Sequence, residues 1–85
     1  MATVIIRYWA GARDAAGVES EEFEAATVAD ALRQAEERRG ADPEFRRVIG
    51  LCSFLLDGAR LGAEGRTRPL TGGVELEALP PFAGG

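Results

Sequence analysis

The residues best suited to chemistry are the last seven, Leu79-Pro80-Pro81-Phe82-Ala83-Gly84-Gly85. Pro80 and Pro81 have no N–H for a sheet ladder, so they end a strand and hold the chain that follows extended. At full extension, Pro80 to Gly85 spans roughly 20 Å. Gly84 and Gly85 suit a reaction at the α-carboxylate itself. Without side chains they can pass along a narrow channel and leave the terminal carbonyl uncrowded, and an activated glycyl group, being achiral, cannot epimerise. The carboxylate is ionised at neutral pH, with a reference pKa of about 3.3–3.7, and an anion is a poor acyl electrophile. It needs activation, for which an acyl adenylate made from ATP is the expected form. The chain has no G-x-x-x-x-G-K-[ST] loop and no lysine to hold phosphates. The activating enzyme is therefore expected to be a separate protein.

Composition narrows the alternatives. The 85 residues include no His, Lys or Asn and 1 Cys, which excludes a Ser-His-Asp or Cys-His relay, a Schiff-base lysine and a His-bearing zinc site. No metal site is expected, nor a bound cofactor, and the chain is not catalytic alone. All 10 basic residues are arginines, spread along the chain against 14 acidic ones for a net charge of −4. That pattern argues against nucleic acid and anionic membrane as partners. Cys52 has no disulfide partner, and Met1-Ala-Thr-Val-Ile-Ile-Arg7 lacks the apolar run of a secretory signal. A cytoplasmic location is the expectation.

The elements that must carry the tail follow from periodicity. Thr3–Trp9 alternates, with Val4, Ile6 and Tyr8 on one face and Ile5, Arg7 and Trp9 on the other. Gly11–Gly17 carries a glycine at each end and reads as the loop of a loose hairpin into a short acidic strand, Glu19–Glu24. Thr27-Val-Ala-Asp30 has capping-box spacing. It opens a helix whose buried stripe is Val28, Ala31, Leu32 and Ala35, with Arg33 and Glu37 as an i,i+4 pair and Gly40 as the stop. Asp42-Pro43 caps a short helix with Phe45, Val48 and Ile49 on one side, ended by Gly50. Leu51–Leu56 reads as a buried strand, turned by Asp57-Gly58 into Ala59-Arg60-Leu61. Gly62–Gly73 is loop-like, with a single turn at Pro69-Leu70-Thr71, and Val74–Leu79 alternates as the last strand. This order gives an α+β fold, a ubiquitin-like β-grasp with a mixed sheet of 4–5 strands packed on one main helix plus a short helix. Residues 1–79 form the domain and residues 80–85 its flexible, extended C-terminal tail. The first and last strands should lie parallel, with the helix in the crossover.

The opening Arg7-Tyr-Trp-Ala-Gly-Ala-Arg-Asp-Ala-Ala-Gly17, the Leu56-Asp57-Gly58 turn and the closing Leu79–Gly85 resemble the MoaD/ThiS sulfur-carrier family over essentially the whole chain. The similarity is greatest to the small subunit of molybdopterin synthase. The chain departs from the pattern at Trp9, where Phe is common, and at Thr71-Gly72-Gly73, where relatives often carry an acidic turn. The resemblance implies that a ubiquitin-activating-type adenylyltransferase uses ATP to adenylate Gly85. A persulfide donor, either a rhodanese-like sulfurtransferase or a cysteine desulfurase, then converts it to a thiocarboxylate. It further implies an acceptor enzyme, in the molybdopterin case the synthase large subunit. Thiamin, cysteine and thio-metabolite synthesis are alternative destinations. Two other readings stay open: a ubiquitin-like modifier forming isopeptide bonds through Gly85, and a plain interaction module with an inert tail.

A docking surface follows from strand parity. Trp9, Leu55 and Leu79 fall on the outer face near the tail's root, an expected partner-binding patch. Pro80, Pro81, Phe82, Ala83 and Gly84 are the expected tail contacts, and Gly85 carries the reacting carboxylate. Cys52 reads as a small core hydrophobe. The acidic pairs Glu21-Glu22, Glu36-Glu37 and Glu75/Glu77 read as solvated faces, the last pair available to steer basic partners.

Overall fold

The structure, a computed structural model, describes residues 1–81. Five strands run in the order β2-β1-β5-β3-β4: β1 (Ala2–Tyr8), β2 (Ser20–Ala25), β3 (Ser53–Leu56), β4 (Ala59–Arg60) and β5 (Val74–Leu79). β1 and β5 pair in parallel, with Ile6 opposite Leu76 and Tyr8 opposite Ala78, and the other ladders are antiparallel. Three α-helices, α1 (Ala10–Ala16), α2 (Val28–Arg38) and α3 (Pro43–Leu51), and a 3₁₀ segment at Ala63–Thr67 complete the described chain. The mixed sheet with its central parallel pair is the expected β-grasp.

One face of the sheet supplies Val4, Ile6, Tyr8, Phe23, Phe54, Leu76 and Ala78, all buried. Against it pack Val28, Ala31 and Ala35 of α2 with Phe45 and Ile49 of α3. The periodicity of these segments is physical: at helical spacing α2 presents only small or branched apolar side chains to the sheet. Both helix starts are capped as their sequences require, Thr27 Oγ1 accepting from Asp30 N at 3.0 Å and Asp42 Oδ2 from Phe45 N at 3.3 Å. Asp57 and Gly58 both have positive φ, 49° and 84°, the backbone of a tight primed hairpin turn.

The structure corrects four local expectations. Gly11–Gly17 is not a hairpin loop, because Ala10–Ala16 forms helix α1, which buries Ala12 and ends at Gly17 in the left-handed region. Four alanines outweigh one internal glycine in helix propensity, and packing against α3 fixes the turn. Gly50 does not end α3, which continues to Leu51. In consequence β3 begins at Ser53, and Leu51 is 56% exposed where a buried strand residue was expected. The single turn lies at Ala63–Thr67 instead of Pro69-Leu70-Thr71.

Candidate docking face at the root of the tail

β5 delivers the chain to the tail. Its last inward residue, Ala78, accepts a hydrogen bond through its carbonyl from Trp9 N at 3.2 Å. Leu79 follows opposite Ser53 of β3. Pro80 is half-buried and Pro81 exposed. The expected contacts Phe82, Ala83 and Gly84, and the reacting group on Gly85, lie outside the described residues.

The outer face of the sheet beside this exit is built from alternate residues of four strands. Ile5 and Arg7 of β1 run beside Glu75 and Glu77 of β5, Leu55 of β3 sits opposite Glu77, and Arg60 of β4 sits opposite Leu55. Trp9 continues beyond β1 at the start of α1 and is 48% exposed, while Leu55 and Leu79 are half-buried. The three residues expected to form a patch therefore lie on one face at the tail's end of the sheet, with Glu77 among them. The Trp9 indole N–H donates to Glu77 Oε1 at 3.2 Å. Arg7 is the direct neighbour of Glu77 across the parallel ladder, yet its Nε donates to Glu75 Oε1 at 2.8 Å. Strand parity put the three apolar residues on one face, as the register does, but it did not single out the carboxylate that the register sets between them.

Cys52 is not available for tail chemistry. It is 7% exposed, its Sγ donates to Val48 O at 3.3 Å, and burial pushes its pKa up to about 11. A thiol held protonated at neutral pH is a poor nucleophile.

Glu21 is a correction to the reading of the acidic pairs as solvated. Its carboxylate is 9% exposed, accepts from the Tyr8 hydroxyl at 2.5 Å, and pairs with Arg39 at 2.6 Å and Arg38 at 3.2 Å. The Arg39 guanidinium lies against the rings of both Tyr8 and Phe45, at 5.5 and 4.4 Å. It also donates to the carbonyls of Ala16 and Ala35. The pattern of β2 pointed Glu21 inward, opposite Ile6, and this was the available signal. This network ties β1 and β2 to the C-terminal end of α2 and to Phe45 of α3, and is structural.

The mixed sheet with its parallel first and last strands and the helix between them define the ubiquitin-like β-grasp class. The profile of the ThiS family matches residues 6–85, and the chain belongs to that family of MoaD/ThiS-like sulfur carriers. Among solved structures it is similar to small archaeal modifier protein 1 from Methanosarcina acetivorans. Identity is 26% and the TM-score 0.80, over 100% of this chain and 98% of that one. A putative molybdopterin converting factor subunit 1 from Pyrococcus furiosus shares the fold at 21% identity and TM-score 0.74, over 95% of this chain and 99% of that one. So does a chain from the complex of subunits 1 and 2 of the Helicobacter pylori molybdopterin-converting factor, at 20% identity and TM-score 0.68, covering 98% and 99%. No curated protein matches the chain by sequence.

Proposed function

We propose that this chain carries sulfur as a C-terminal thiocarboxylate on Gly85 and delivers it to a biosynthetic acceptor, with molybdopterin synthesis as the destination. The carrying observation is the sequence Pro80-Pro81-Phe82-Ala83-Gly84-Gly85 that follows β5 in a ThiS-family domain. In this reading the Gly85 carboxylate attacks the α-phosphorus of ATP on an adenylyltransferase, releasing pyrophosphate. The terminal sulfur of a donor persulfide displaces AMP from the acyl carbon. A second thiol then cleaves the resulting acyl disulfide, leaving the thiocarboxylate and oxidising the donor to a disulfide. The docking face beside the tail holds the domain outside while the narrow end enters the active site. The likeness to the molybdopterin-converting factor structures supports a large synthase subunit as acceptor.

Intact mass of a Cys52→Ala chain tests this directly. After incubation with ATP, an adenylyltransferase and a persulfide donor, one alkylatable sulfur is expected, since the variant holds no other thiol. Alkylation separates sulfur exchange from oxidation, which adds nearly the same mass. A chain that never becomes alkylatable removes the carrier reading.

The likeness to small archaeal modifier protein 1 favours a second reading, in which activated Gly85 is transferred to a lysine amine. This chain has no lysine, so a Gly85–lysine branch in a digest would mark conjugation to another protein.

A further inference from the structure

We propose that Glu77 is the seat for a cationic side chain, arginine or lysine, of the adenylating partner. The inference rests on the carrier reading and names the chemistry its docking face requires.

Glu77 is half-buried on the outer face, beside Trp9 and opposite Leu55, with Leu79 next on the same side of β5. A partner that covers Trp9, Leu55 and Leu79 also covers this carboxylate and strips its water. A desolvated carboxylate is tolerated only when paired. Among the described residues the compensation is incomplete. The indole N–H of Trp9 takes Oε1, whereas no hydrogen bond to Oε2 and no ion pair to Glu77 is made among the described residues. The nearest cation along the ladder, Arg7, is committed to Glu75. Arg60, across Leu55 on the exposed β4, makes no ion pair among the described residues and does not reach Glu77.

The surroundings have the same sign. The outer face presents Glu22, Glu24, Glu75 and Glu77 against Arg7 and Arg60, so it attracts a basic surface before contact and demands a cation after it. The indole contact also fixes the carboxylate's orientation, which leaves its second oxygen ready to accept from a guanidinium or ammonium group without a rotamer search.

Carrier-dependent pyrophosphate exchange with the adenylyltransferase of the same genome separates docking from chemistry. Glu77→Arg is expected to raise KM for the carrier roughly 10- to 100-fold with kcat nearly unchanged, and Glu77→Gln to raise it less and to flatten its salt dependence. Glu22→Arg, on the same face but two strands away, is the control and should shift KM by no more than about twofold. Circular dichroism and a urea midpoint within error of the parent establish that the variants fold. Unchanged KM in both Glu77 variants, or a KM effect of Glu22→Arg as large as that of Glu77→Arg, overturns the proposal and leaves the carrier reading standing. Loss of binding to a second copy or to a synthase large subunit alone, with KM on the adenylyltransferase unmoved, also overturns it. If the parent chain supports no exchange at all, the carrier reading itself fails.

Discussion

Arg39 shows how a single residue ties elements together. Its guanidinium lies against two rings, satisfies two helix carbonyls and meets a carboxylate at 2.6 Å with both side chains nearly buried. Removing it leaves Glu21 with only the Tyr8 hydroxyl and the more exposed Arg38, so Arg39→Ala is expected to cost about 2 kcal/mol in urea unfolding, more than Arg33→Ala, which is itself exposed and pairs with half-buried Asp30 and exposed Glu37. Cys52 and Tyr8 set the alkaline limit. Burial raises the Cys52 thiol to about 11, and burial followed by the hydrogen bond to Glu21 raises the Tyr8 phenol above its ordinary 10. The unfolded thiol ionises near 8.5, so the unfolded chain loses its proton first as pH rises. Stability is therefore expected to be level below about pH 8.5, to fall towards pH 11, and to fall more steeply once the unfolded tyrosine also ionises. Urea midpoints between pH 7 and 11 check this; a midpoint that is level to pH 10.5 would contradict it. Fast labelling of Cys52 by iodoacetamide in the native state would do the same.

At the scale of elements, caps and turns decide where the chain bends. The α2–α3 connection puts Gly40 and Ala41 at φ of 60° and 57°, with Ala41 N–H closing onto Glu36 O at 2.9 Å. Glycine belongs at the first position, but alanine at the second carries a Cβ clash worth about 1–2 kcal/mol. Glycine's larger unfolded-state entropy offsets part of the gain, so Ala41→Gly should raise stability by about 0.5 kcal/mol, read as a higher urea midpoint at constant m-value. The same scale shows what local pattern conveys. β5 and both helix N-caps were legible because alternation, Thr27-x-x-Asp30 and Asp42-Pro43 each act within one turn or strand. Helix α1 was not, because its seven residues hold few side chains to pattern and its stability comes from Ala12 entering the core between β1 and α3. The end of α3 escaped for a related reason: Gly50 has open space around it and costs little where neighbouring turns already hold the helix.

At the scale of the whole molecule, the buried core among the described residues runs from Ala2 to Ala78, ahead of Pro80. Deleting Gly84 and Gly85 is therefore expected to leave the thermal midpoint within about 1 °C of the parent while abolishing carrier-dependent pyrophosphate exchange. A large loss of stability would mean that the tail belongs to the fold, contrary to the carrier reading. The parallel β1–β5 pair joins residues near opposite ends of the sequence, and this closure puts Trp9 beside the tail's root. Sequence by itself determined the alternation of both strands, the helix between them, the absence of His and Lys, and the Gly84-Gly85 pair. These are local or compositional properties, set by steric periodicity and by which functional groups exist. Only tertiary structure decided that Glu77 stands among Trp9, Leu55 and Leu79 while Arg7 turns to Glu75, and that Glu21 is buried under Arg39. Ladder register and the choice a flexible guanidinium makes between two carboxylates depend on strands brought together from distant parts of the chain, so the physical information appears only when the sheet closes.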